Sequence, residues 1–362
     1  MIAILIGTRP ELIKMAPVMR SLTEQKVSFC FIHSNQHYSK QMDEVFIKEL
    51  KLKKPDFNLH VGSSSHATQT GRIMEGVEQA IKKAKIQILL VHGDTNTTLG
   101  GAIAAKKLQV AVGHVEAGLR SFDYKMPEEV NRTITDRISD LLFAPTDGAK
   151  QNLLREGIAE KSIIVTGNTI VDAIKQHKQF ANKSIVLKTY GLTAEKFILL
   201  TAHRPENVDR KVQLIKLFAA VSHVANKLSL PVVWPLHPRT ESKLSQYSLS
   251  VPPEVMILPP LSYFDMLRLQ MASSLILTDS GGIQEEAYVL KKPLITLRDS
   301  TERPETLSAN FLTHLDIKKI DQALVAIKQE KISWGNAFGD GNASEVIVAE
   351  TKKYLERLHD IE

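Results

Sequence analysis

At 362 residues, the chain is long for one compact α/β domain and suits two of about 170 residues each, given usual domain sizes of about 100 to 200. Apolar residues make up 43% of it and charged residues 24%, ordinary usage for a folded protein and unlike that of disordered, fibrous or membrane-embedded chains. The excess of 46 Lys and Arg over 40 Asp and Glu gives a formal charge of +6, but the basic residues are scattered among acids with no run interleaved with aromatics, so no nucleic-acid partner is expected.

A single cysteine, Cys30, allows neither an intramolecular disulfide nor a multi-cysteine zinc site. The apolar opening from Met1 to Ile6 runs straight into Gly7-Thr8-Arg9-Pro10 and lacks the basic flank and length of a secretion signal. No other stretch is long and apolar enough to span a bilayer. The expectation is a cytoplasmic protein with no membrane partner.

Taken in chain order, short β-rich apolar runs alternate with longer amphipathic stretches: Ile2 to Ile6, Ser28 to Ile32, Ile86 to Val91, Val110 to Val115 and Leu141 to Ala144. Such alternation predicts a parallel sheet with helical crossovers. The pattern resumes after residue 190 with Phe197 to Thr201, Pro231 to Pro235, Val255 to Leu258, Ser274 to Thr278 and Pro293 to Leu297. Two Rossmann-like, doubly wound α/β halves follow. Between them, Val165-Thr166-Gly167-Asn168-Thr169 and the polar, Lys-rich stretch from His177 to Lys188 read as a hinge and linker. The expected domains are therefore 1–172 and 173–340. A C-terminal helix in 341–362, with apolar spacing at Val346, Ile347, Ala349, Tyr354 and Leu358, is placed to pack back on the first domain.

In open parallel sheets, ligands bind beyond the carboxyl ends of the strands. The segments there are Gly7-Thr8-Arg9-Pro10-Glu11, His92-Gly93-Asp94-Thr95 and Gly113-His114-Val115-Glu116 in the first half. The second half has Thr201-Ala202-His203-Arg204 and Asp279-Ser280-Gly281-Gly282. The last of these turns a strand through two glycines into a helix, whose free N–H groups and dipole suit a phosphate, with the Ser280 hydroxyl beside them. Glu286, a turn further on, could accept from a ribose diol. The plainer reading makes Ser280 a helix cap and the glycines a tight turn. Neither the dinucleotide fingerprint nor a P-loop is present.

Arg9 and Lys14 lie near a helix start, where a cation gains nothing from the dipole and needs an anionic partner. Asp94 and Glu116 follow strand ends, and Glu128 follows Met126-Pro127; carboxylates so placed suit proton transfer. Equally, Asp94 could cap the next helix, and Glu128 and Glu129 could serve only the dipole of theirs. The strand-end histidines His92, His203 and His237 have no partner at metal-ligand spacing.

Read together, these segments resemble the non-hydrolysing UDP-N-acetylglucosamine 2-epimerases, relatives in fold of the GT-B glycosyltransferases. The resemblance runs from Gly7 to Glu305. It is carried by Gly-Thr-Arg-Pro-Glu-x-Ile-Lys from Gly7, His-Gly-Asp-Thr-x-Thr-Thr from His92, Gly-His-Val-Glu-Ala-Gly-Leu-Arg from Gly113 and Pro-Glu-Glu-x-Asn-Arg from Pro127. Thr-Gly-Asn-Thr from Thr166, Thr-Ala-His-Arg from Thr201, Asp-Ser-Gly-Gly-Ile-Gln-Glu-Glu from Asp279 and Thr-Glu-Arg-Pro-Glu from Thr301 complete it.

The resemblance implies two such domains facing a cleft, a UDP-sugar substrate and a homodimer. It implies elimination of UDP to a 2-acetamidoglucal and its re-addition with inverted C2, with no redox cofactor and no metal. Asp94, Glu116 and Glu128 match the family's acid/base carboxylates, and His203 a histidine near the phosphates. Arg9, Lys14, Ser280, Gly281, Gly282, Glu286 and Arg303 match UDP or sugar ligands. The loop Ser121 to Met126 resembles a variant seen in epimerases of diacetamido uronic acid sugars, which makes that substrate the nearest alternative. More distant alternatives are a GT-B glycosyltransferase and a UDP-sugar sensor without activity. An activating second site in bacterial members uses a Gln-His segment, matched by Gln36 and His37, and an Arg-Gln pair, at which this chain has Thr68-Gln69. The aromatic that faces uracil in some members falls at Met266, with Phe264 nearby.

Overall fold

The computed structural model describes residues 1–36 and 46–359. Two parallel sheets carry it. The first holds β1 (Ile2–Ile6), β2 (Phe29–His33), β3 (Phe57–Asn58), β4 (Ile88–His92), β5 (Ala111–Val115), β6 (Leu141–Ala144) and β7 (Ile163–Val165), in the order β3-β2-β1-β4-β5-β6-β7. The second holds β8 (Ile198–Thr201), β9 (Val232–Pro235), β10 (Val255–Leu258), β11 (Leu275–Thr278), β12 (Leu294–Thr296) and β13 (Asn310–Leu312), in the order β10-β9-β8-β11-β12-β13. Each of the ten apolar runs predicted as strands is one, to within two residues at either end. The short edge strands β3, β7 and β13 are additional.

Both sheets are covered on both faces, which is why their strands are apolar without alternation. In β8, Ile198 and Leu200 join one buried cluster with Val232, Trp234 and Leu277. Phe197 and Leu199 join another with Val233, Ile276 and Leu294. Successive side chains take opposite faces, and each fully buried Leu or Ile contributes about 1.5–3 kcal/mol. In the first sheet Ala3, Leu5, Ile32, Leu89 and Val91 share one cluster, while Ile2, Ile4 and Ile6 are buried on the other side.

The chain forms two compact units, residues 1–176 with 336–362, and residues 177–335. The helix Thr169–Ala181 carries the chain from one to the other. The stretch expected as a linker, His177 to Lys188, is instead largely helical, because apolar groups anchor it. His177 is buried, its ring 5.5 Å from those of Tyr263 and Phe264, and Val186 is buried in the helix Val186–Thr189. The last helix, Ala343–His359, belongs to the first unit and packs on the helix Arg9–Glu24. Its start is tied down by Asp172, whose carboxylate accepts from the Ser344 backbone N–H (2.9 Å) and hydroxyl (2.6 Å). Where the chain returns, Gly167 and Gly339 pass backbone to backbone with φ of +83° each; a Cβ on Gly167 would stand 2.9 Å from the Phe338 carbonyl oxygen. Among the described residues no helix is long and apolar enough to cross a membrane.

Candidate functional site

The order in which strands were laid down reverses between β1 and β4 in the first unit and between β8 and β11 in the second. Such switch points open a crevice at the carboxyl edge of a parallel sheet. The segments Gly7 to Glu11 and His92 to Thr95 flank the first, and Ala202 to Arg204 and Asp279 to Gly282 flank the second.

In the first unit, Glu11 is structural. Its buried carboxylate accepts from the Gly7 and Thr8 N–H groups and from the Thr95 hydroxyl (2.5, 2.9 and 2.6 Å), stitching the ends of β1 and β4 together. Burial raises its pKa against these bonds. The Arg9 guanidinium, half-buried, lies 5.1 Å from the Phe46 ring centroid. Lys14 is buried and its ammonium pairs with the carboxylate of Glu116. Glu116 also has His92 Nε2 at 3.3 Å, and its backbone φ is +71°, uncommon for a residue with a Cβ.

Thr95, not Asp94, caps the helix Asn96–Lys107: its hydroxyl accepts from the Thr98 N–H. Asp94 instead pairs with Arg132, and its backbone carbonyl accepts from Asn131 (2.9 Å). Arg132 pairs also with Glu129, which is buried and accepts from Ser121 N–H and hydroxyl (3.1 Å each) and from Phe122 N–H (3.0 Å). Burial works to raise the Glu129 pKa, but those amides and Arg132 hold it below the ordinary value. Glu128, one residue earlier in the first turn of the helix Pro127–Ile138, is half-buried. The three carboxylates Asp94, Glu116 and Glu128 thus stand at one end of the first sheet.

Beneath them a buried network fixes the strand ends. His114 Nδ1 lies 2.6 Å from Asp136, its Nε2 2.8 Å from the Gly93 carbonyl oxygen, and Arg120 pairs with Asp136 at 2.7 Å. Burial opposes the Asp136 charge, and His114 and Arg120 overcome it, leaving the pKa lowered. Gln36 accepts from the Thr97 N–H and hydroxyl, and Gln69 donates to the Gln36 carbonyl and accepts from Asn96 (2.7 Å). Gln36 and Gln69, the glutamines that align with the bacterial second site, are both engaged in this internal network; His37 lies outside the described residues.

In the second unit the helix Gly281–Val289 starts at Ser280, whose hydroxyl makes no capping bond. The plain capping account is removed. Neither glycine is needed for backbone shape: a Cβ on Gly281 or Gly282 would meet nothing nearer than 3.8 Å. Two glycines in a helical turn cost up to about 1 kcal/mol each relative to alanine, and added Cβ atoms would come only into ordinary contact with Arg303, Glu302 and Ser280. Arg303 stands over this turn, its Nε 2.5 Å from Glu285. Glu286 is buried and accepts from Gln270 at 2.5 Å. Asp279, fully buried, accepts from the backbone N–H groups of His203 and Arg204 (3.0 and 2.9 Å) and lies 3.2 Å from His203 Nδ1. Its pKa is lowered, since His203, Arg204 and Asn207 outweigh the effect of burial. His203 keeps about a third of its side chain exposed. Met266 packs against the core of this unit, and Phe264 stacks on Phe180 with centroids 5.6 Å apart.

Sequence reasoning missed Asp279 as the group that orients His203 and Arg132 as the cation facing Asp94, although both sit inside the segments singled out. Among the described residues no group of three or more His, Cys, Asp or Glu side chains is arranged to hold a metal ion. The second unit thus has a helix start at Ser280 with Arg303 beside it, and the first has carboxylates at the carboxyl edge of its sheet.

A family model described as UDP-N-acetylglucosamine 2-epimerase matches residues 20–352. The chain is 48% identical to the UDP-N-acetylglucosamine 2-epimerase of Methanococcus maripaludis, covering 96% of this chain and 97% of that relative. It is 39% identical to the UDP-2,3-diacetamido-2,3-dideoxy-D-glucuronate 2-epimerase of Pseudomonas aeruginosa, over 98% and 99% of the two. Among solved structures it is similar to Methanocaldococcus jannaschii UDP-GlcNAc 2-epimerase in complex with UDP-GlcNAc and UDP, with a TM-score of 0.91, 44% identity, and coverage of 97% of this chain and 99% of that one.

Proposed function

The chain belongs to the UDP-N-acetylglucosamine 2-epimerase family, and on that premise we propose that it interconverts UDP-GlcNAc and UDP-ManNAc. The observation that carries the reading is the gathering of Asp94, Glu116 and Glu128 at the carboxyl end of the first sheet, in a member of this family. Mere binding of a nucleotide sugar requires none of the three.

The C2 hydrogen of the sugar is not acidic, so inversion proceeds by loss of UDP and of that proton to give the 2-acetamidoglucal, then by re-addition with the proton delivered to the other face. The carboxylates move the protons. The open turn at Gly281 and Gly282, with Ser280 and Arg303, takes the charge that grows on UDP as the glycosidic bond breaks. His203, oriented by Asp279, lies beside the phosphates; Arg9 and Glu286 serve as further nucleotide contacts. The sequence is redox-neutral and consumes no cofactor. The enzyme acts in the cytoplasm as a homodimer and supplies glycan synthesis.

Proton NMR of the protein with UDP-GlcNAc in deuterated water tests this. UDP-ManNAc carrying deuterium at C2 is the expected product. Binding of UDP without any C2 exchange would remove the reading. The second reading, the same chemistry on the diacetamido uronate, is favoured by the near full-length match to the Pseudomonas relative and is tested by offering that sugar in the same assay.

A further inference from the structure

Glu116 combines two features that cost stability. Its φ of +71° places a residue bearing a Cβ in the left-handed region, which is sterically disfavoured, and its carboxylate is buried with the buried ammonium of Lys14. Taking both charges out of water offsets much of their attraction. The backbone is held in place by the amides of Glu116 and Ala117, both donating to the Phe143 carbonyl oxygen at 3.1 Å. This turn sends the side chain to Lys14 from the helix Arg9–Glu24 and to His92 from the end of β4.

His92 is 4% exposed, and among the described residues neither ring nitrogen has an aligned hydrogen-bond partner; Nε2 lies 3.3 Å from the same Glu116 oxygen that Lys14 holds. Glu11 is the other carboxylate near enough to be influenced by this imidazole, although burial still raises its pKa. Asp94 is turned to Arg132, and His114 is held by Asp136.

We propose that Lys14 and His92 set the charge of Glu116, keeping it the anion that accepts a proton from the sugar C2. Lys14 is then a positioning residue and not a contact of the nucleotide. The proposal rests on the reading of Glu116 as an acid/base group. An ammonium in contact with it favours the carboxylate anion, and an imidazole 3.3 Å away adds to this in its cationic form.

The test uses Lys14→Met in the full-length enzyme, with kcat and kcat/KM followed from about pH 5 to about pH 10 and UDP affinity measured by calorimetry. Removing the cation is expected to lower kcat at neutral pH by at least about tenfold, to move the acidic limb upward by about 1–2 pH units, and to let activity return at high pH. UDP affinity stays within about twofold of the parent. His92→Gln moves the same limb in the same direction by less. A fall of more than about tenfold in UDP affinity with the limb unmoved overturns the proposal and makes Lys14 a nucleotide contact. Because Lys14→Met strands a buried carboxylate, the double variant with Glu116→Gln is compared by thermal melting. It should melt above Lys14→Met, and a melting temperature no higher counts against the pairing. Glu116→Gln alone loses C2 deuteration; if it kept that exchange, the reading of Glu116 itself would fall, separately from the role of Lys14.

Discussion

Asp279 holds His203 from two sides: its carboxylate accepts the His203 backbone N–H at 3.0 Å and lies 3.2 Å from the ring Nδ1. The carboxylate therefore fixes both where the loop after β8 stands and which nitrogen the exposed face of the imidazole presents. Asp279→Asn keeps the volume and removes the charge. We expect kcat/KM to fall by about 10- to 100-fold, as for other groups that orient an active imidazole. The double variant Asp279→Asn/His203→Asn should be no slower than His203→Asn alone, since the two act as one unit. Additive losses in steady-state rates would separate them.

Glycine at 281 and 282 is not demanded by the fold, so alanine there reads out the ligand. Gly282→Ala should melt at or slightly above the parent temperature, because alanine is the better helix former by up to about 1 kcal/mol. UDP affinity should drop by about tenfold or more, as a methyl enters the space a phosphate needs. Gly7→Ala is the contrast: its Cβ would stand 2.1 Å from Thr97 Oγ1, and overpacking of that kind costs about 1–3 kcal/mol. Calorimetry and thermal melts on the two variants should give opposite patterns.

Asp94→Asn retains the shape of a side chain that caps nothing. Turnover is expected to fall by about 10²- to 10⁴-fold while UDP still binds. Unchanged turnover would strip Asp94 of its acid/base role.

Glu302 provides a pH dependence of stability. Burial pushes its pKa up, but the hydrogen bonds and charge of Arg298 and the charge of Arg303 bring it down, from 4.5 to about 2. A carboxylate whose folded pKa is depressed stabilises the fold above its unfolded pKa and loses that contribution as pH falls toward the folded one. The shift corresponds to roughly 3 kcal/mol. Urea unfolding of the parent and of Glu302→Gln should therefore differ most at neutral pH, and the gap should narrow steadily below about pH 4.5. A gap independent of pH would show that Arg298 does not depend on the Glu302 charge.

Much of the fold is legible in the sequence. The ten central strands announced themselves as apolar runs because strands buried on both faces tolerate little else. The strands β3, β7 and β13 did not, since two or three residues at a sheet edge carry no period to read. The stretch after His177 reads as an irregular linker because its lysines are conspicuous and its anchors, His177 and Val186, are single residues. At the candidate site, the sequence shows the residues but not the partners that the fold brings to them. That Lys14 faces Glu116, or Arg132 faces Asp94, depends on which strand ends lie side by side, and no spacing along the chain encodes that. The role of Thr95 as cap, by contrast, was within reach of sequence rules.

The return of the chain past Gly167 and Gly339 fixes an order of events during synthesis. The second unit, residues 177–335, is one uninterrupted segment, so all of it is synthesised while the first still lacks the helix Ala343–His359. The helix Arg9–Glu24 waits through the making of more than 300 further residues for Ala343–His359 to cover it. A message cut just before codon 343 would yield a chain with both sheets present and this one seam open. The buried contacts of Ile347 and Val348 therefore cannot form before that helix is made, and nascent chains stopped ahead of it should stay open to proteolysis at this seam.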